Sequence, residues 1–283
     1  MRRSLILSQA SAQVANVGDI AYKASNGKIM VVAPDAWDAS LGTPVGVVVI
    51  PSGFAPDNGK ARILSLFWVN ENGVAVTSPY SIKWSYGTND TSLINYTVIP
   101  ITDNKGPNVT GYRSDGGRLP SDKNTGPISY VDPMAKYYNS EAGFYSPSPY
   151  LGDAPNPAYY APISGYNNAL SDFNGKGNTD VLVALGSSYT AANATRKYKV
   201  EGAEEIEWYL PAAGELGYLI ARANMIQTSA IKVGGVNLNE SMRTSTESSG
   251  TNAWDGGIEG IPAIYSSNKT YICYVRPFAQ LDF

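Results

Sequence analysis

This 283-residue chain predicts an α+β fold: mixed and antiparallel sheets, two helices and long ordered loops, preceded by a short N-terminal arm. Three observations carry that reading. Short β-branched runs bounded by turn dipeptides fill residues 18–67, two apolar stripes of helical period lie within residues 174–227, and further short strands close the chain. A domain of this length buries roughly three quarters of its unfolded surface, so its core needs no staples.

Residues 1–17 are small, polar and without a period, which suits an attachment arm ordered by a partner. Residues 18–283 form the domain. Residues 19–22 and 28–32 read as strands joined through Asn26-Gly27, a pair with hairpin chemistry. Residues 45–50, Val-Gly-Val-Val-Val-Ile, lack alternation, so both faces should be covered in a central strand. Residues 61–67 supply another strand. From about 70 to 173 the composition turns to Pro, Gly, Asn, Ser and Tyr and reads as a long loop insertion. Within it residues 96–99 suggest a strand, Trp84 and Tyr86 are expected to plug the core, and the tyrosines from Tyr137 to Tyr166 to pin the loops.

The first helix is expected over residues 181 to about 199, with Val181, Leu182, Leu185, Tyr189 and Ala192 on one face. Thr179 or Asp180 caps it, and Arg196, Lys197 and Lys199 sit at its negative end. The second runs from Pro211, in its first turn, to about residue 227, with Leu216, Leu219, Ile220, Ala223 and Ile226 as its stripe. Residues 230–238 read as short strands around Gly234-Gly235, and residues 242–248, 261–265 and 271–278 as the closing ones.

Four stretches also carry a family likeness: Gly175-Lys-Gly-Asn-Thr-Asp180, Trp208-Tyr-Leu-Pro-Ala-Ala-Gly-Glu-Leu216, Ser245-Thr-Glu247 and Tyr274-Val-Arg-Pro277. Together they resemble the C-type-lectin-like domains of bacteria and their phages, a group that includes phage variable tip proteins and shares its fold with the formylglycine-generating enzymes. The resemblance covers residues 45–277 loosely and 174–277 well. It implies a single domain whose last strand returns beside the early ones. It also implies that the segment around Ser245, Asn252, Trp254, Tyr265, Asn268 and Tyr271 lies on or near a ligand-facing surface, one that in some such proteins is diversified by a retroelement. The formylglycine-generating relatives use a cysteine pair, whereas Cys273 stands alone here, which excludes that activity by count.

Composition narrows the function further. With no histidine there is no imidazole base or ligand, and a net charge of −3 offers no basic field for nucleic acid. The apolar run after Met1-Arg-Arg ends at Ser8, so neither a signal peptide nor a membrane span is read. Asp172, Asn174, Asn178 and Asp180 alternate like calcium ligands, but Lys176 and Val183 occupy positions that need oxygen donors, and a tight turn with side-chain-to-backbone bonds is the preferred reading. Glu204, Glu205 and Glu207 read as a solvated acidic connector, Glu215 as a carboxylate accepting backbone bonds near a helix start, Cys273 as a buried inert thiol, and Arg276 as a brace.

The sequence thus predicts a non-enzymatic phage virion protein without metal or cofactor: a head fibre, head-decoration or tail-tip subunit that binds carbohydrate or another host surface receptor. Trp254, Asn252, Glu247, Tyr265 and Asn268 are the candidate ligand-binding residues, with Trp254 foremost as an indole able to stack on a sugar. A homotrimer is expected, held to other virion proteins through residues 1–17 and exposed on the particle. The alternatives are a purely structural capsid or fibre component and a bacterial cell-surface lectin.

Overall fold

Six consecutive buried residues, 45–50, occupy most of strand β3 (Gly42–Ile50). Flanked by β1 (Ile20–Ala24) and β4 (Ala61–Ser65), β3 lies inside a six-stranded sheet that runs in the order β2 (Ile29–Val32), β1, β3, β4, β13 (Phe278–Leu281), β8 (Trp208–Tyr209), every pair antiparallel. Both faces are covered, which is why the strand shows no alternation. Val47 and Val49 join Leu64, Phe278 and Leu216 on one side, while Val48 joins Ile63, Ala279 and Trp208 on the other. This computed structural model describes residues 13–52, 60–86, 173–220, 222–247, 252–258 and 263–283. Residues 1–12, the strand expected at 96–99, the tyrosines from Tyr137 to Tyr166 and Asp172 lie outside the described residues.

β1 and β2 (Ile29–Val32) form the expected hairpin through Asn26-Gly27, where Asn26 Oδ1 accepts the Lys28 N–H at 3.0 Å. Strand β13 (Phe278–Leu281) runs back between β4 and β8 (Trp208–Tyr209), so the last strand does lie beside an early one. Residues 13–17, expected within the arm, lie against this sheet instead. Gln13 brackets the β2 edge with its amide, its Oε1 accepting the Val31 N–H at 3.0 Å and its Nε2 donating to the Val31 carbonyl. Buried Ala15 accepts the Ser52 N–H at 2.9 Å. The unpaired groups of an edge strand supply the reason: they need partners, and the chain's own early residues provide them.

Each expected helix is two. The first is α1 (Gly175–Leu185) and α2 (Thr190–Lys197), separated at Gly186, whose φ of 128° ends the helical path. α1 starts inside the stretch expected to be a loop, so Thr179 and Asp180 are interior rather than capping residues. Tertiary partners account for the difference. Thr179 Oγ1 donates to the Gly175 carbonyl at 2.7 Å and accepts the Leu210 N–H at 3.0 Å, while the Asn178 amide donates to Ser245 Oγ. The second is α3 (Ala213–Ile220) and α4 (Ala223–Lys232), with Arg222 between them. α4 reaches into residues 230–238, where strands were expected, and residues 233–241 carry neither helix nor strand.

Helices α3 and α4 contribute Leu216, Leu219, Ile220, Ile226 and Ala230 to one core cluster, and α1 and α2 contribute Leu182, Ala191, Ala192 and Ala194 to the other. A three-stranded antiparallel sheet, β11-β10-β9, completes the first: β9 (Met242–Glu247), β10 (Asn252–Gly257) and β11 (Ala263–Asn268). Two small ribbons pair β5 (Trp68–Val69) with β6 (Ala75–Val76) and β7 (Ile82–Lys83) with β12 (Ile272–Cys273). Trp84 plugs the core, its indole N–H donating to the Thr244 carbonyl at 2.9 Å. Tyr86 does not; it is 54% exposed, its hydroxyl donating to Glu71 rather than to any interior group.

At the middle of these layers sits Glu215. Its Oε1 accepts from Arg62 Nε at 2.8 Å and from the Tyr209 hydroxyl at 2.9 Å, and its Oε2 accepts the Ala212 N–H at 2.8 Å. α1 begins directly against this carboxylate, and a Cβ at Gly175 would stand 2.2 Å from Glu215 Oε2 and 2.7 Å from the Ala212 nitrogen. No side chain fits there without displacing the buried pair. Gly175→Ala is therefore expected to lower unfolding stability by about 1–3 kcal/mol, read as a reduced denaturation midpoint at unchanged m-value; an unchanged midpoint would show that the pair tolerates displacement.

Candidate functional site

The five residues singled out for ligand binding fall in or beside the β9–β10–β11 sheet, but only part of the set reaches the surface. Trp254, on β10, is 1% exposed and packs in the first core cluster with Met242 and Ile264. Its indole face is unavailable to a sugar. β10 is covered on both sides, since its neighbour Ala253 belongs to the second cluster. Glu247 is fully buried and ion-paired to Lys269, whose ammonium lies 4.8 Å from the centre of the Trp84 ring. Neither residue can contact a ligand from this position.

Asn252 and Asn268 are half-buried and directly opposed across β10 and β11. The Asn268 side chain makes a local turn, its Oδ1 accepting the Thr270 N–H at 2.9 Å and the Thr270 hydroxyl at 2.7 Å. Tyr265 directs its hydroxyl to Ser241 Oγ, and burial raises that phenol to about 12. These three therefore flank the sheet.

The cause lies in β9, a strand of polar residues buried along its whole length. Thr246 Oγ1 accepts the Ala213 N–H at 2.8 Å, and the Ser245 N–H donates to the Pro211 carbonyl at 2.7 Å, so both serve the start of α3. Thr244 Oγ1 donates to the Trp254 carbonyl at 2.6 Å. Arg243 Nη1 donates to both carboxylate oxygens of Asp255, 2.7 Å to each, and its Nη2 donates to the Asn268 and Tyr271 carbonyls.

Other charged groups are equally committed. Glu205 pairs with Lys23, and, in a separate surface network that includes Asp180, Glu207 pairs with Lys176 and Arg196. Those partners hold the Glu205 and Glu207 carboxyls below the usual range. Lys176 and Asp180 thus pair with each other on α1, in place of the turn expected there. Cys273 is buried, its thiol directed at the Ser241 carbonyl at 3.1 Å, and burial pushes its pKa far up. Arg276 meets no carboxylate among the described residues. Its guanidinium donates to four carbonyls, Ser65 and Leu66 beside β4 at 3.0 Å each, and Val236 and Asn237 at 3.0 and 2.9 Å. It also lies 5.3 Å from the centre of the Trp68 ring.

Those last two carbonyls belong to the rim of an open groove of about 440 Å³. One stretch of its lining is Thr77, Ser78 and Pro79, which follow β6; the other is residues 235–240, with Trp68 and Ile231 completing it. Thr77, Ser78, Asn237 and Asn239 are exposed and bring hydroxyls and amides to its surface, beside the apolar Pro79, Ile231 and Val236. The groove is a concave feature of the described residues that sequence reasoning missed, because residues 230–238 read as strands. Val236-Asn237-Leu238-Asn239 carried the signal: an apolar and polar alternation in which Leu238 is buried and both asparagines face out.

No family model matches this chain, and no curated protein matches its sequence. Among solved structures, a fimbrial protein from Bacteroides ovatus is similar at 15% identity and a TM-score of 0.39, the alignment covering 94% of this chain and 49% of that one. The chain thus spans about half the length of that protein.

Two outcomes follow from the buried groups. Trp254→Ala is expected to cost about 3–5 kcal/mol of stability, measured by urea denaturation, rather than to change affinity in a fully folded protein. The second concerns pH. Burial is the largest influence on three carboxyls and lifts Glu215 and Glu247 to about 7 and Asp255 to about 6, against the opposing pull of Arg62, Lys269 and Arg243. A carboxyl raised on folding binds its proton more tightly in the native state, so its contribution is present below the unfolded pKa and is lost as pH rises through the folded one. The melting temperature should therefore fall as pH is raised from about 4.5 through 7. A melting temperature that climbs across this range would contradict it.

Proposed function

We propose that this chain is a non-enzymatic phage virion protein, a head-fibre, head-decoration or tail-tip subunit whose C-type-lectin-like domain binds carbohydrate or another receptor on the host surface. The observation that carries this reading is the division of polar groups between interior and surface. Interior ionisable groups are engaged with their own chain: Glu215 with Arg62, Asp255 with Arg243 and Glu247 with Lys269. Glu215, read from sequence as a carboxylate that accepts backbone bonds near a helix start, sits wholly out of solvent beneath α1. A carboxylate enclosed in this way positions backbone and exchanges no proton with a substrate.

Supporting the lectin-like assignment is the use made of the residues that suggested it. Gly175, Glu215, Ser245 and Thr246, drawn from three of the four motif stretches, bond or abut one another's elements through the interior, and Arg276, from the fourth, braces carbonyls at β4 and after α4. The exterior offers amides and hydroxyls on a shallow surface, a chemistry suited to weak contact with polyols. Repetition of such a site in a trimer would raise avidity through effective concentration.

A glycan array probed with the full chain in its oligomeric form tests the reading, with sedimentation establishing the oligomer. Retention of defined host-type oligosaccharides by a species three chains in mass is the expected result. A stable oligomer that retains no glycan, and that also fails to coat intact host cells, overturns it.

A further inference from the structure

We infer that the ribbon of β7 and β12, with the turn leading into it, is the ligand-contacting surface of this protein, and that its ligand is an uncharged oligosaccharide stacked on exposed tyrosine rings; this rests on the lectin-like reading above. Tyr271 and Ile272 are consecutive and each 65% exposed, matched among the described large hydrophobic side chains only by Val14. Ile272 opposes Lys83 across the ribbon, and the other opposed pair, Ile82 with Cys273, is buried, so Ile272 and Lys83 share its outer face. The Lys83 ammonium lies 5.5 Å from the centre of the exposed Tyr86 ring. Glu71 foremost, and Tyr80 more weakly, hold the Tyr86 phenol above its ordinary value, which places both beside it. Exposed tyrosines thus gather around one small ribbon.

The backbone beneath these side chains is fixed. Arg243 Nη2 donates to the Asn268 and Tyr271 carbonyls at 3.1 and 2.5 Å, Asn268 Oδ1 accepts the Thr270 N–H at 2.9 Å, and the Tyr271 N–H donates to the Asn268 carbonyl at 3.0 Å. The Lys269 carbonyl accepts the N–H groups of Trp84 and Ser85 at 3.0 and 3.3 Å, which joins the turn to the residues after β7. From α2, the Thr190 hydroxyl donates to the Lys83 carbonyl at 2.6 Å, and the Ser188 carbonyl accepts the Tyr86 N–H at 2.9 Å. Directional bonds therefore hold large apolar side chains out in water, where they gain nothing from burial in their own chain. A turn immobilised before binding loses little conformational entropy when a ligand arrives. Arg243 is thus a positioning residue for this surface, acting through the backbone rather than on the ligand.

The chemistry of the surface selects the ligand. A tyrosine ring offers its apolar face to the C–H side of a pyranose and its hydroxyl to the sugar's own hydroxyls. Lys83, a donor, and Glu71, an acceptor, both adjoin Tyr86, and their opposite charges leave the patch without a net sign. A polyol uses both groups, whereas a sulfated or sialylated chain gains at the ammonium and loses at the carboxylate. Protein interfaces keep lysine and glutamate away from their apolar centres. Here both stand beside the rings, which favours a sugar over a polypeptide.

The test uses the full-length oligomer, an array carrying neutral, sulfated and sialylated oligosaccharides, and intact host cells with and without periodate oxidation of their glycans. Two variants address the ribbon: the double substitution Tyr271→Ser with Ile272→Ser, and Tyr86→Ala. Both alter exposed side chains, an unchanged melting temperature verifies their folding, and either one decides the question if the other is destabilised. The expected result is that wild type retains neutral glycans and that each variant binds them at least about tenfold more weakly, the loss of a ring contact repeated in the oligomer. Equal binding by wild type and the folded variants overturns the ribbon assignment and leaves the lectin-like reading standing. A preference of wild type for sulfated or sialylated chains overturns the ligand class. So does coating of cells that survives periodate and is lost in the variants, because the partner at the ribbon is then a protein. Failure of wild type to retain any glycan or to coat cells removes this inference together with the reading it rests on.

Discussion

The Arg62–Glu215 pair is the constraint around which the other elements are placed. Glu215 is the third residue of α3, and its carboxylate reaches back to the N–H of Ala212 at the helix cap, as the acidic member of a capping box does. The other member is missing, because Ala212 has no side-chain acceptor. Thr246 from β9 takes up a free N–H of the same first turn, that of Ala213. Helix α3 is therefore capped partly by its own residue and partly by a distant strand, so it cannot form its first turn independently of the sheet. Removing either partner of a buried ion pair leaves an uncompensated charge, typically a loss of about 3–5 kcal/mol. Tyr209 and Gly175 crowd the same carboxylate, which ties β8 and the start of α1 to the register of β4.

A second consequence concerns how polar residues are used throughout. β9 reads as an exposed strand by composition, yet each of its side chains from Arg243 to Glu247 is buried. Burial of such groups is tolerable only where each finds a partner, and the partners here are the ends of other elements: Pro211 and Ala213 at α3, Asn178 in α1, Asp255 in β10. Arg276 follows the same logic with carbonyls alone, and burial without a carboxylate lowers its pKa to about 9. Polar contacts of this kind are directional, so they fix the relative placement of helices and sheets where apolar packing alone would allow sliding.

Much of the sheet was legible from local pattern. Residues 45–50 announced a central strand by losing alternation, and Asn26-Gly27 marked the hairpin of β1 and β2, because both signals depend on neighbours close in sequence. Helix existence was legible too, from the stripes at Leu182 and Leu216, while the interruptions at Gly186 and Arg222 and the early start of α1 were not. The early start of α1 is set by long-range bonds, such as Thr179 to Leu210 and Asn178 to Ser245, that no local window contains. The candidate site suffered most. Trp254 and Glu247 look like surface residues in a Gly- and Ser-rich segment, and only the coverage of β10 on both faces and the presence of Lys269 beneath Trp84 turn them inward.

That inversion limits where recognition can occur in this architecture. A strand whose polar side chains cap helices has none left to offer a ligand, so the ends of β9 and β10 are poor recognition surfaces despite their composition. The exposed polar side chains that remain belong to connectors, and most connectors lose too much entropy on ordering to bind well. The turn between β11 and β12 differs because Arg243 and Asn268 hold its backbone, leaving Tyr271 and Ile272 displayed on a fixed frame. The same buried arginine that pairs with Asp255 thus rigidifies a surface turn. Stability and recognition are coupled through that guanidinium: a change that loosens the interior beneath Tyr271 also loosens the surface above it.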